Sequence, residues 1–162
     1  MPTTTPCLWF DGTAEQAAEH YVSIFPNSQI TSVSRYGPDM PFPEGSALTV
    51  EWSLDGQPYL GLNGGPNYTF SEAISFQIAC ADQEEVDHYW NALSEGGEEG
   101  PCGWLKDRFG VSWQVVPARL PELLGDPDPG RAQRAMQAMM QMRKIVVADL
   151  ERAAESVPTV PA

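Results

Sequence analysis

Cys7-Leu8-Trp9-Phe10 leads through a turn to Glu19-His20-Tyr21, and Ser75-Phe76-Gln77-Ile78 leads through a turn to Asp87-His88-Tyr89. The second stretch repeats the first at an offset of 68 residues. Each copy reads as a short strand, an acidic turn and an amphipathic helix, so one strand-and-helix module is used twice. Two like modules placed edge to edge leave a concavity between them. A ligand is expected there.

Working outward, the first strand is expected over Thr5 to Phe10, followed by a helix that Thr13-Ala-Glu-Gln16 opens with a capping box. Pro26-Asn27 ends that helix, and Gln29 to Tyr36 carries a weak strand signal. Leu48, Val50, Trp52 and Leu54 alternate with Thr49, Glu51 and Ser53; Asp55-Gly56 supplies a tight turn, and Tyr59 to Asn63 returns as the hairpin partner. In the second copy Ala73 to Cys80 is a strand, Asp82 caps a helix with Glu85 three residues on, and Gly96 to Pro101 is an acidic loop. Val111 to Val116 forms the last strand. A short helix follows Pro121, Asp126 to Gly130 is a stiff linker, and one long helix is expected over about Arg131 to Ala154. Met136, Met139, Met140, Met142, Ile145, Val146, Val147 and Leu150 cover more of its circumference than the ~100° stripe one core requires. The excess predicts a second contact, most economically with another copy of the chain.

The formal net charge of −13 makes nucleic acid and anionic membrane surfaces poor partners. No apolar run approaches the ~20 residues of a spanning helix. Met1 to Pro6 lacks the basic and apolar regions of a signal peptide, and the three cysteines, Cys7, Cys80 and Cys102, show no Cys-x-x-Cys spacing. A cytoplasmic domain with free thiols is the expectation.

Strand alternation assigns the walls of the cavity. Leu8 and Phe10 face the helix, leaving Cys7 and Trp9 opposite; Phe76 and Ile78 leave Ser75, Gln77 and Ala79. Val111, Trp113 and Val115 leave Ser112 and Gln114, and the hairpin leaves Thr49, Glu51 and Ser53 together with Gly61 and Asn63. This second face mixes polar, small and aromatic side chains, the composition of a ligand cavity.

Gly103-Trp-Leu-Lys-Asp-Arg-Phe-Gly-Val-Ser-Trp-Gln-Val-Val-Pro117 resembles the signature of the PhnB-like branch of the vicinal oxygen chelate superfamily, often labelled 3-demethylubiquinone methyltransferase-like. Phe10 to Ala17, Gly61 to Gly65, Ala73 to Asp82 and Ala135 to Lys144 match the same branch in order. The resemblance implies an α+β fold in which paired βαβββ modules form a curved mixed sheet around a cavity, with a C-terminal helix and commonly a homodimer. The corresponding expectation is a single domain over residues 1–155, with modules at about 1–66 and 67–120, the helix at 131–154 and a disordered tail at 156–162.

Enzymes of that superfamily hold a divalent metal with His, Glu or Gln from inward strand positions, which polarises adjacent substrate oxygens. Here those positions fall near Cys7, near Gly61 or Asn63, and near Gln77 and Gln114. With no imidazole or carboxylate among them, neither a tight metal nor any other cofactor is expected. The histidines, His20 and His88, sit on the helices. Gly61 to Pro66 opens no helix and so does not read as a nucleotide loop for an adenosyl donor, and no base reaches Cys7. The reading is a homodimeric protein that binds a small molecule through Trp9, Asn63, Ser75, Gln77 and Gln114, with Cys7, Glu51 and Gly61 on the same wall and Trp104, on a loop, closing the mouth. Two alternatives stand beside it: a metal-dependent lyase or dioxygenase using Glu51, Gln77 and Gln114, and a dimeric interaction protein with a vestigial cavity.

Overall fold

The computed structural model describes residues 1–156 of the chain, so the tail expected from 156 onward lies, apart from Ser156, outside the described residues. The chain divides into two compact units, Met1–Phe70 and Ser71–Ala162.

Unit 1 runs β1 (Cys7–Phe10), α1 (Ala14–Ile24), β2 (Gln29–Arg35), β3 (Ala47–Leu54) and β4 (Gln57–Asn63). Its four-stranded sheet has the order β1-β4-β3-β2, with β1 parallel to β4 and the other pairs antiparallel. The turn between β3 and β4 is the expected one: Asp55 and Gly56 have φ of 45° and 85°, the left-handed pair that matches strand twist. Leu8, Phe10, Val50, Trp52 and Leu54 are buried on one sheet face with Ala14, Ala17, Ala18 and Tyr21 of α1. The capping box does not form. Thr13 makes no side-chain cap; instead the Ala14 N–H donates to Asn63 Oδ1 at 2.9 Å, so α1 is capped from the far end of β4.

Unit 2 repeats the plan: β5 (Phe76–Cys80), α2 (Gln83–Ser94), β6 (Glu98–Glu99), β7 (Trp104–Lys106) and β8 (Ser112–Pro117), in the order β5-β8-β7-β6. Again the first strand is parallel to the last. Here the expected cap is present, with Asp82 accepting from the Glu85 N–H and the Glu85 carboxylate accepting from Ala81 N–H at 2.7 Å. The acidic loop contains the short β6, and Trp104 is the first residue of β7 rather than part of a loop. A buried carboxylate makes the β7–β8 turn: Asp107 accepts from Phe109 N–H, Val111 N–H and Trp113 Nε1–H at 2.8, 3.1 and 2.8 Å.

After the sheet come α3 (Arg119–Leu124), α4 (Pro129–Met139) and α5 (Val147–Glu155). The long helix expected over 131–154 is therefore two helices. Asp128 caps α4 by accepting from Gly130 N–H, with Pro129 at the first helical position, so the expected linker is a helix start. The chain breaks between Met140 and Val146 because its backbone is bonded elsewhere. Cys102 and Gly103 N–H donate to the Met142 and Arg143 carbonyls at 2.8 Å each. Gln83 of α2 donates to the Ile145 carbonyl at 3.0 Å and accepts from Val147 N–H at 2.8 Å. The β-branched run Ile145-Val146-Val147 resists helix only weakly, so these tertiary bonds decide the break.

The split also removes the reason for inferring an unusually wide apolar helix. Ile145 and Leu150 are buried in a cluster with Leu120, Leu123, Ala135 and Ala154, against which Met139 and Met142 pack. Only Met136 and Met140 of the methionine series stay exposed, at 40% and 60%. No helix among the described residues is long and apolar enough to cross a membrane.

Replacing Gln83 by Ala leaves the Ile145 carbonyl and Val147 N–H without their partner, and should cost about 2 kcal/mol. Hydrogen exchange should show the loss first at Val147 to Leu150, ahead of the sheet of unit 2.

Candidate functional site

In unit 1, register sets the faces. A two-residue turn pairs odd positions of β3 with even positions of β4: Thr49 with Leu62, Glu51 with Leu60. The parallel partner adds Cys7 beside Leu60 and Trp9 beside Leu62. The face away from α1 therefore carries Cys7, Trp9, Thr49, Glu51, Leu60 and Leu62.

Gly61 and Asn63 lie on the opposite face, a correction to the sequence reading. A Cβ on Gly61 would meet Trp52 at 2.9 Å and Ala14 at 3.1 Å, so glycine is there to admit the indole. Asn63 is 5% exposed and spends its amide on structure, accepting from Ala14 N–H and donating to the Ala47 carbonyl at 3.0 Å. The Tyr36 hydroxyl donates to the Asn63 carbonyl at 2.6 Å.

Trp9 is half-buried. Its Nε1–H donates to the Gly65 carbonyl at 2.8 Å, and Tyr68 meets its ring edge-on at 4.9 Å. The indole also lies close against Gly64. Cys7 is exposed, and partial burial pushes its thiol upward, away from the thiolate a nucleophile needs. Burial and the Glu85 carboxylate push Cys80 up to about 11.

Unit 2 brings the remaining candidates together. Gln77 of β5 pairs with Gln114 of β8, and Gln114 pairs in turn with Trp104 of β7. The three side chains form a row on one face. Gln114 Nε2 donates to Ser75 Oγ at 2.9 Å. Gln77 is exposed, and no hydrogen bond to its side chain is found among the described residues. This row lines a cavity of about 390 Å³ whose other walls include Ala79, Cys102, Val116, Leu120, Leu124 and Met139.

One charged group of the same face, Lys106, escaped the sequence reading. Lys106 pairs with Ser112 one step along the β7–β8 ladder. Its ammonium forms an ion pair with Glu72, which holds it above the usual lysine range, helped by the Glu98 charge. Hydrogen bonding to Lys106 holds the Glu72 carboxyl below the ordinary range. Ser112 lies on the face that strand alternation assigns to it together with Gln114. Lys106 was not legible, because a three-residue strand shows no alternation. Among the described residues no three His, Cys, Asp or Glu side chains gather as a metal site. His20 and His88 lie on α1 and α2, each beside the following tyrosine, at 6.0 and 4.8 Å between ring centres.

A family profile described as 3-demethylubiquinone-9 3-methyltransferase matches residues 2–116. The chain belongs to this family. It is the PhnB-like branch of the vicinal oxygen chelate superfamily. The PhnB protein of Bacillus cereus is 33% identical, with a TM-score of 0.66, over 72% of this chain and 100% of that one. A Pseudomonas aeruginosa protein is 20% identical, with a TM-score of 0.60, over 72% of this chain and 98% of that one. The fosfomycin resistance protein FosX of Mesorhizobium loti is 11% identical, with a TM-score of 0.53, over 77% and 98%, and shares the fold. No protein of curated function matches. The profile ends before α3, so Leu120, Leu124 and Met139 line the cavity from outside the PhnB-like match.

Asn63→Ala should lower unfolding free energy by roughly 3 kcal/mol, since it orphans a buried N–H and a buried carbonyl. Denaturant titration measures this, and the loss should exceed that of Glu51→Ala on the exposed strand position.

Proposed function

We propose that the protein binds a small neutral molecule on the open sheet face of unit 2, with an amide-like or heteroaromatic edge and an apolar body. The observation that carries this reading is the row Gln77, Gln114 and Trp104, side by side in a cavity otherwise walled by apolar residues. Two carboxamides offer both donors and acceptors, so they match a ligand edge that alternates the two. Trp104 supplies a flat apolar surface for a ring, and Leu120, Leu124 and Met139 exclude water from the other side. Ser75 orients Gln114 by accepting from its Nε2, which leaves the amide oxygen available to a ligand N–H.

The groups that the family's description and fold imply fit these residues poorly. A divalent cation seeks carboxylate or imidazole, whereas the row offers neutral amides one ladder step from the Lys106 ammonium. For an adenosyl methyl donor, Gly61 to Pro66 would need to open a helix toward the cofactor. Instead Gly61 to Asn63 ends β4 and Gly64 to Pro66 leaves it as a loop, with Gly61 against Trp52 and Gly64 against Trp9. No catalytic step is therefore assigned to metal or methyl donor. Self-association through a second copy, and residence in the cytoplasm, remain parts of the same proposal.

Ligand-observed NMR with a panel of small neutral lactams and pyrimidines tests the reading. Binders should weaken roughly tenfold in Gln77→Ala and in Gln114→Ala, the loss of about one well-placed hydrogen bond. Equal affinity for native and variant proteins would place the ligand elsewhere. Stoichiometric metal in protein purified without chelator, lost in Gln114→Ala, would instead favour the metal-dependent alternative.

A further inference from the structure

The cavity beside the amide row changes character along the strands. β5 and β8 run parallel, and the pair that follows Gln77–Gln114 on the same face is Ala79–Val116. Two residues of strand advance about 7 Å, so a small, apolar floor begins that far beyond the amides. β8 then ends at Pro117, and α3 follows it with Leu120 and Leu124 in the cavity wall. Met139 of α4 completes that wall. The cavity is therefore polar at one end, apolar at the other, and stopped by two helices.

Each of these side chains has surface to give a ligand. Gln77 and Ala79 are exposed, and Gln114, Val116, Leu124 and Met139 are half-buried. Among the described residues none that lines this cavity is charged, so a ligand ion would lose hydration there without gaining a partner. Leu124 and Met139 also pack against the buried cluster of Leu120, Leu123, Ile145 and Leu150, which backs the wall. Both helices lie beyond the family match at residues 2–116, so the end wall comes from outside the shared segment.

We propose that Leu124 and Met139 set the length of ligand the cavity accepts, and that this ligand is a neutral amphiphile. Its cyclic-amide head meets Gln77 and Gln114, and its alkyl tail runs over Ala79 and Val116 to end on the α3–α4 wall. The head rests on the amide-row reading given above; the tail is argued from the walls alone. Each methylene gains by leaving water until the tail reaches the wall. Beyond that length an added carbon must displace packed side chains. Ala79 matters by its size, because a longer side chain there would stand in the tail's path.

Ligand-observed NMR with γ-lactams bearing ethyl, butyl, hexyl or octyl tails tests this. In native protein affinity should rise by up to roughly fourfold per methylene, pass an optimum within the series and then fall. Met139→Ala and Leu124→Ala should each move the optimum to a longer tail. Ala79→Leu, at an exposed strand position away from the buried cluster, should move it to a shorter one, and it decides the matter should the wall variants fail to fold. The same optimum in every variant would overturn the proposal. So would native affinity that ignores the tail or still climbs at octyl. Gln77→Ala separates head from wall. Uniform weakening across the series, with the optimum unmoved, is the expected result. Unchanged affinities in Gln77→Ala, with the optimum still shifted in Met139→Ala, would sink the amide row and leave the wall standing.

Discussion

The Asp107 carboxylate collects two backbone N–H groups of its own turn and the indole N–H of Trp113. By closing the turn this way it fixes the register of β7 on β8. Asp107 N–H donates to the Val111 carbonyl, and Val115 N–H to the Gly103 carbonyl, at 2.9 and 2.8 Å. Those bonds mark the hydrogen-bonded pairs of the ladder. Trp104–Gln114 and Lys106–Ser112 fall between them, at the pairs where facing side chains approach most closely. A slip of one residue would send every one of these side chains to the helix side. The chemistry assigned to unit 2 therefore hangs on a buried anion whose charge is met by three donors.

Much of this was legible from pattern. The duplicated strand and helix, the Asp55-Gly56 hairpin and the Asp82 cap follow from short-range rules, and the structure has them. Gly61 and Asn63 were assigned to the wrong face although the signal was present: a two-residue turn settles parity across the hairpin. Asn63 was also a cap in disguise, because a helix start can borrow its acceptor from a strand 49 residues away. The Thr13 box looked sufficient locally and lost to that tertiary bond.

The C-terminal break was not legible. Nothing in Met140 to Val146 forbids a helix as strongly as proline would. What interrupts it is Gln83 and the Cys102-Gly103 backbone, contacts invisible without the fold. Lys106 was missed for a related reason, since a strand of three residues is too short to declare which side chains share a face. The site is thus partly written in alternation and partly in long-range pairing.

The two halves of the chain also use like positions differently. In unit 1 the tryptophan of the first strand is bound to Gly65 and Tyr68, whereas in unit 2 the corresponding face carries unshared amide and an orphan hydroxyl. The measurement closest to the centre of this account is a cross-strand disulfide in a variant whose native cysteines are replaced. Trp104→Cys with Gln114→Cys should close a bond under mild oxidation, because facing residues at a non-hydrogen-bonded pair bring their Cβ atoms within reach. Trp104→Cys with Val115→Cys should stay reduced. Oxidation of the second pair in preference to the first would mean the ladder is shifted by one, and the cavity walls described above would belong to the core.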